Sequence, residues 1–254
     1  MVYSWRAPSF DAPLADFSKS ENGVFEKWVN ENYLRVNRFC DVEPLSSLSM
    51  ADNVKLPYVR ASKDGQGLFD TSFNEIKNSF VDTRRLAYTA MTGSGDISTK
   101  LLKMTYKNFY SLLDKIAVFL QAYLGIPIKV HQADFAAIWT DKKGNLRDEF
   151  KANPQNLSLL ALYNVKLDVY GSNSMDYVVD EQTKDLKRIR NYIEHKVIVI
   201  REGEMSYDDY RLQISREELT INTIRLAQLV RCAIIYLCNF VMHAEYDKLL
   251  SREK

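Results

Sequence analysis

The chain has 254 residues, of which 46% are hydrophobic and 12% aromatic, enough to bury a sizeable core within one domain. Its 34 Lys and Arg residues nearly balance its 33 Asp and Glu residues, so the overall charge does not indicate a nucleic-acid-binding protein and any basic surface has to be local. The longest apolar run, residues 232–242, is shorter than the roughly 20 residues of a membrane helix, and the first residues lack a signal-peptide pattern. These features predict a cytoplasmic protein without a membrane partner.

Residues 1–67 are the least regular part of the sequence. A helix is expected around residues 24–39, and the segment that follows is rich in Ser, Asp, Gly and Pro, a composition that favours loops. We therefore interpret residues 1–67 as an N-terminal extension and residues 68–254 as one helical domain.

Two long helices are predicted next. Apolar residues recur at helical spacing through residues 71–91, and the pattern is ended by the glycine-containing residues 93–95. The second helix runs from about residue 103 to 124 and is closed by Gly125 and Pro127. Because the two helices follow one another closely, we expect an antiparallel pair. The aromatic residues expected mainly in the core of the second helix are Tyr106, Tyr110 and Tyr123.

An insertion separates this pair from the third core helix. Residues 126–180 contain shorter pieces, including a helix predicted for NLSLLALYNVKLDVYG, between polar segments. The third core helix is predicted to begin near Asp180 and to end soon after Lys196, because the residues that follow are β-branched.

The fourth core helix is predicted to open at Ser215. Glu218 stands three positions later, as in a capping box, and the apolar pattern continues to about residue 246. Four long helices with essentially no alternating strand pattern predict an all-α fold, a four-helix bundle that carries an inserted helical segment and an N-terminal extension.

The common nucleotide-binding and zinc-binding signatures are missing from the sequence. It contains no GxxxxGK[ST] loop, no Rossmann glycine pattern, no HExxH and no CxxC. The three histidines, His131, His195 and His243, lie far apart, and none has a second His or Cys at ligand spacing. We therefore predict neither a metal site nor a cofactor.

The sequence RNYIEHK, residues 190–196, is the candidate catalytic stretch. On a helix Asn191 and His195 share a face, whereas Arg190 and His195 are separated by roughly 140° and straddle its edge. A guanidinium holds a phosphate through paired hydrogen bonds, and an imidazole that titrates near neutrality moves a proton. Such a pair can cleave RNA without a metal: the 2′-hydroxyl attacks the adjacent phosphorus, His195 moves a proton and Arg190 stabilises the developing charge.

The same spacing also fits a purely structural helix end. Arg190 and Glu194 stand at i and i+4, the spacing of an ion pair, and a histidine near a helix C-terminus often only complements the helix dipole. Residue spacing therefore leaves both interpretations open.

The motif resembles the R-x4-6-H signature of the HEPN superfamily, the higher eukaryotes and prokaryotes nucleotide-binding domains. RNYIEHK is similar to the motif of a bacterial branch typified by a Leptospira protein. Other segments agree with that branch in the same order: SFNEIKNSFVDTRRLAY, YSLLDKIAVFL, ADFAAIW and ISREELTINTIRLAQLVRCAIIYL. The resemblance covers residues 68–246.

This resemblance implies an endoribonuclease that acts as a toxin or abortive-infection effector and leaves 2′,3′-cyclic phosphate and 5′-hydroxyl ends. It implies Arg190 and His195 as the catalytic pair, and Asn191 as the polar residue that orients the site. Active members pair two motifs, so it implies a homodimer, with RNA as substrate and an antitoxin or an activating defence protein as a further partner. In one toxin subgroup a tyrosine two residues after the histidine is modified; here Val197 occupies that position, which argues against control by that route.

Five further residues are candidate RNA contacts. Positive charge surrounds the motif at Lys187, Arg188 and Lys196 and would attract a phosphate backbone. Arg84 on the first core helix and Asp114 on the second are candidates to line the same groove, although each also fits a solvated or intrahelical contact. The competing function is a non-catalytic HEPN-like module that binds nucleotide, RNA or a partner defence protein.

Overall fold

The computed structural model describes residues 21–39, 51–59, 65–171, 183 and 185–251. The predicted start of the third core helix, near Asp180, lies outside the described residues. Within them the chain forms these helices: α1 (Glu21–Glu31), α2 (Gly65–Thr92), α3 (Gly95–Leu124), α4 (Asp148–Lys151), α5 (Leu157–Tyr170), α6 (Leu186–His195) and α7 (Arg216–Leu250). The strands are β1 (Val197–Ile200), β2 (Ser206–Tyr207) and β3 (Arg211–Ile214). The predicted all-α class is confirmed, with one small sheet added to it.

Helices α2 and α3 form the predicted antiparallel pair. Near one end the Lys115 Nζ lies 2.7 Å from the Glu75 carboxylate, and further along the rings of Phe80 and Phe109 lie 5.5 Å apart. Residue numbers thus fall on one helix as they rise on the other. Helix α3 ends as expected at Gly125, whose φ of 66° is a left-handed conformation that favours glycine.

Helix α3 begins at Gly95, earlier than the predicted residue 103. Its first turn is held by polar contacts that apolar spacing does not reveal. The Ser98 hydroxyl donates to the Ala90 carbonyl, and the Arg216 guanidinium donates to Ala90 O, Gly93 O and Ser98 Oγ. These bonds tie the α2–α3 junction to the start of α7.

The described part of residues 1–67 packs into the same hydrophobic core as the long helices. Helix α1 ends at Glu31, earlier than predicted, and the chain turns at Tyr33, which has a positive φ of 55°. The buried apolar side chains from this region are Phe25, Val29, Leu34, Val36, Val54 and Val59. This part of the predicted extension therefore contributes to the core.

The small sheet was not predicted from the sequence. Its order is β1-β3-β2, with β1 parallel and β2 antiparallel to β3. The expectation that the third core helix ends soon after Lys196 is correct, since α6 ends at His195 and β1 starts two residues later. The strands have two to four residues, too few for an alternating pattern to be recognisable.

Helix α7 is the central element of the core. The Ser215 hydroxyl accepts a hydrogen bond from the Glu218 N–H at 3.0 Å, which confirms the predicted N-cap. Within the described residues α7 is the one helix long and apolar enough to cross a membrane, but 61% of its apolar window is buried by the rest of the protein. Burial against its neighbours accounts for its apolar composition.

Candidate functional site

Helix α6 presents the motif at the surface by burying its opposite face. Leu186 and Ile189 are fully buried and Tyr192 nearly so, and the Tyr106 hydroxyl of α3 donates to the Leu186 carbonyl at 2.7 Å. Arg190 and Asn191 are half-buried, and His195, the last helical residue, is exposed. The apolar stripe therefore fixes the helix against α3 and leaves the motif beside it.

The Arg190 guanidinium lies between an amide and an aromatic ring. Its Nη1 is 3.3 Å from Asn191 Oδ1, and its central carbon is 5.3 Å from the centre of the Tyr110 ring, within range of a cation–π contact. Glu194, which stands at ion-pair spacing from Arg190 in the sequence, lies 3.2 Å from Lys107 Nζ of α3 instead. Among the described residues no carboxylate forms an ion pair with Arg190, and the hydrogen bond that its guanidinium makes there goes to Asn191.

The Tyr110 ring that contacts the Arg190 guanidinium packs in turn on Tyr170. Tyr110 is buried, and its ring meets that of Tyr170 edge to face at 5.6 Å; each hydroxyl also affects the pKa of the other. Burial raises the pKa of Tyr110 to about 12, and burial together with Tyr110 raises that of Tyr170 further. Both phenols are therefore neutral near pH 7, and Tyr110 presents a ring rather than an anion to Arg190.

Asp114 lies one turn along α3 from Tyr110, on the same side of the helix. Its Oδ1 accepts a hydrogen bond from the Phe135 N–H at 3.0 Å. Burial raises its pKa, and the charges of Asp134 and Glu194 add to that effect, whereas the Phe135 N–H and Arg190 oppose it. The Asp114 carboxyl is thus engaged by the Phe135 N–H and lies within electrostatic range of Arg190; contact of Asp114 with RNA stays a prediction.

Arg84 is corrected from a candidate RNA contact to a buried structural residue. Only 2% of it is exposed. Its two terminal nitrogens lie 2.9 and 2.7 Å from the two Asp52 carboxylate oxygens, and one of them also donates to the Leu34 carbonyl at 2.6 Å. The side chain joins α2 to the N-terminal region and does not line the groove.

The three predicted basic residues of the motif helix differ in how free they are. Lys187 and Lys196 are exposed, and the Lys196 Nζ lies 4.7 Å from the centre of the Tyr192 ring. Arg188 forms an ion pair with Asp185 and stacks on the Tyr207 ring at 4.2 Å. Contact of all three with RNA stays a prediction, and the structure favours the two lysines for it.

Two lysines of α3 beside the motif were not singled out from the sequence. Lys103 Nζ donates to the Ile198 carbonyl at 3.0 Å, and Lys107 pairs with Glu194. A signal was present, because Lys100, Lys103 and Lys107 share one side of a helix. This spacing could not assign the lysines to the site, since it does not show that α3 lies against α6.

No three His, Cys, Asp or Glu side chains converge as metal ligands in the part of the chain that the structure describes.

Comparison with known proteins gives a family match: a family model described as LA2681-like HEPN matches residues 93–245, more than half of the chain, and this range includes the whole motif. No curated protein and no solved structure matches the chain.

Proposed function

We propose a function on one premise: the chain belongs to the LA2681-like HEPN family. It is a metal-independent endoribonuclease of the HEPN type that requires no cofactor. It cleaves RNA by attack of a 2′-hydroxyl on the adjacent phosphorus and leaves 2′,3′-cyclic phosphate and 5′-hydroxyl ends. It acts in the cytoplasm as a toxin or abortive-infection effector, under the control of an antitoxin or an activating defence protein.

The observation that carries this proposal is the set of contacts made by the Arg190 guanidinium. Within the described residues its guanidinium contacts an amide oxygen and a ring face, with no ion-paired carboxylate, and it shares a short helix with an exposed histidine. An arginine that is held in place but has no ion-paired carboxylate is suited to bind a phosphate through bidentate hydrogen bonds. This arrangement supports a phosphate-binding role and disfavours a purely structural ion pair at the helix end.

The two side chains would divide the chemistry between them. Arg190 donates hydrogen bonds to the non-bridging phosphate oxygens and stabilises the charge that builds up as the 2′-oxygen attacks. His195, in contact with water at the helix end, transfers a proton to or from the oxygens that attack and leave. Asn191, bonded to Arg190, keeps the guanidinium in the plane in which it meets the phosphate.

A homodimer would complete the groove, because each chain carries one motif. The surface next to the motif contains exposed apolar side chains: Ile97 and Met104 on one face of α3 and Val197 at the start of β1 are 75%, 56% and 56% exposed. The bond from Lys103 Nζ to Ile198 O joins this part of α3 to β1. A contact between two copies across this surface would cover those side chains and bring the two motifs together.

The decisive experiment is cleavage of total cellular RNA by the purified protein in EDTA, with mapping of the new ends. Wild type should make discrete cuts, and Arg190→Ala and His195→Ala should lower the rate by at least about 100-fold, the usual effect of losing a transition-state donor or proton-transfer group. His243→Ala is the matched control, since His243 is an exposed histidine of α7. Its rate should equal that of wild type.

The oligomer is tested separately by sedimentation. Met104→Glu should convert a dimer to a monomer and reduce cleavage, whereas Leu157→Glu, at a 76% exposed leucine on α5, should do neither. RNA binding without cleavage by all forms of the protein would support the non-catalytic module instead. Cleavage that survives both motif substitutions would remove the motif from the mechanism.

A further inference from the structure

Tyr210 is a large aromatic residue held in water close to the motif. It is 80% exposed, the highest value among the large hydrophobic residues that the structure describes. It lies in the turn between β2 and β3, immediately before Arg211. A tyrosine this exposed buries little apolar surface, so the fold gains little from its ring.

The turn that carries Tyr210 is ordered by one aspartate. Asp208 Oδ1 accepts hydrogen bonds from the backbone N–H groups of Tyr210 and Arg211 at 2.8 and 2.9 Å, and Oδ2 accepts one from Arg211 Nε at 2.9 Å. These hydrogen bonds lower the pKa of Asp208, so the turn keeps them across the neutral range. The ring therefore projects from a fixed backbone.

The turn is also fixed to the motif helix. The Tyr192 hydroxyl donates to the Asp208 carbonyl, and Val197 N donates to the Tyr210 carbonyl at 3.0 Å. Val197 follows His195 by two positions, or two Cα steps of about 3.8 Å each. The backbone of Tyr210 is thus anchored directly beside the end of α6 that carries His195.

Charge around the turn is mixed. Lys196 brings an exposed ammonium group to the Tyr192 ring, and Arg188 covers Tyr207, but Asp209 is an exposed carboxylate next to Tyr210. A phosphate would be drawn to Lys196 and not to the turn itself. What the turn offers to a ligand is the flat, uncharged face of Tyr210.

We propose that Tyr210 stacks on an unpaired base of a single-stranded RNA whose backbone passes Arg190, His195 and Lys196. This inference rests on the proposed function, to which it adds a substrate class. A base in a duplex is already stacked on both faces, so only a single-stranded or looped RNA can place one on the ring. Stacking on an aromatic side chain tolerates every base, so Tyr210 confers a preference for unpaired RNA rather than for a sequence.

The test measures binding and cutting separately. Binding uses the His195→Ala protein, which keeps the turn intact, and a fluorescent single-stranded RNA of about 12 nucleotides, within the range that such sites cover. In that background Tyr210→Ala should raise the Kd for the single strand by about fivefold to 150-fold. The Kd of Tyr210→Phe should match that of the parent within about twofold, and the Kd for an RNA duplex should be the same in all three proteins. Because stacking releases no counterions, the slope of log Kd against log salt should be the same with and without the ring.

Tyr246→Ala is the matched control. Tyr246 is 58% exposed and lies about 45 Å along α7 from the end of that helix next to β3, so its loss should not affect RNA binding. In the cleavage assay Tyr210→Ala should raise the KM for single-stranded RNA by a similar factor and leave kcat little changed.

Three results would overturn the inference. The first is equal binding by Tyr210→Ala and its parent. The second is an equal loss for duplex and single strand. The third is a change in sedimentation with Tyr210→Ala, which would make Tyr210 a contact between copies of the chain. If wild type cuts no RNA but Tyr210→Ala still weakens single-strand binding, the proposed nuclease activity is wrong and the stacking site stands. If His195→Ala abolishes cutting but Tyr210→Ala has no effect, the nuclease activity stands and the stacking site is wrong.

Discussion

The aromatic support of Arg190 gives a prediction that separates positioning from folding. The Tyr110 ring lies 5.3 Å from the guanidinium and edge to face with Tyr170. Tyr110→Leu removes the ring face but leaves an apolar side chain in the core. Tyr110→Phe keeps the ring and removes only the hydroxyl.

The expected magnitudes follow from these contacts. A desolvated cation–π contact contributes about 0.5–2 kcal/mol, so if the ring holds Arg190 in its productive position, Tyr110→Leu should lower kcat/KM by about twofold to 30-fold. Because Tyr110→Phe removes only a hydroxyl, its free energy of unfolding should change by at most about 1 kcal/mol. Its kcat/KM should stay close to that of wild type.

The assay is cleavage of a fluorescent RNA oligonucleotide, together with thermal unfolding of each variant. Phe119→Leu is the matched control, because Phe119 is a buried aromatic residue of the same helix that packs on Phe69 and Tyr123 away from the motif. It should lose stability as Tyr110→Leu does, by roughly 1–3 kcal/mol, but keep its activity. Equal activities for the Tyr110→Leu and Phe119→Leu proteins would refute the positioning role.

Four other outcomes are expected. Asp52→Ala should lower the free energy of unfolding by about 3–5 kcal/mol, because it leaves the buried Arg84 without its ion-pair partner, a loss measurable by urea unfolding. Burial raises the pKa of Asp52, but the hydrogen bond and charge of Arg84 outweigh it and lower the pKa below 3.8, so the contribution of this pair should be complete above about pH 5 and fall away at lower pH; a pair energy independent of pH would contradict this. Lys107→Ala should reduce the salt slope of RNA binding by about 0.7 if Lys107 leaves Glu194 to contact one phosphate, and an unchanged slope would exclude that contact. Ser215→Ala should lower stability by about 1 kcal/mol through loss of the α7 N-cap, without any change in cleavage per folded molecule.

The parts of the fold that were predictable from the sequence are those set by local chemistry. Ser215 followed by Glu218 marks a helix start, Gly125 marks a helix end, and the β-branched residues after Lys196 end α6. Each of these signals acts within a few residues of the chain. They placed the boundaries next to the motif without knowledge of tertiary structure.

The parts that were not predictable depend on partners far away in sequence. Arg84 looked like a surface residue of an amphipathic helix, yet Asp52, 32 positions earlier, makes it a buried ion-pair partner. The β1–β3 pairing joins short strands that have no recognisable pattern of their own. In the same way Tyr110 was expected mainly to fill the core, and its contact with Arg190 appears once α3 is seen to pack against α6.

The assignment of Glu194 bears directly on the choice between a structural and a catalytic motif. Had Glu194 paired with Arg190 along the helix, the guanidinium would have been neutralised and the simple structural interpretation would have sufficed. Instead Glu194 contacts Lys107, and Arg190 rests on a ring that offers it no negative charge. At ten residues α6 is too short to be stable by itself, so the bonds from Tyr106 and to Asp208 hold it in place. Within the described residues α6 is thus fixed by other elements while Arg190 has no ion-paired carboxylate, an arrangement that the proposed phosphate-binding role requires.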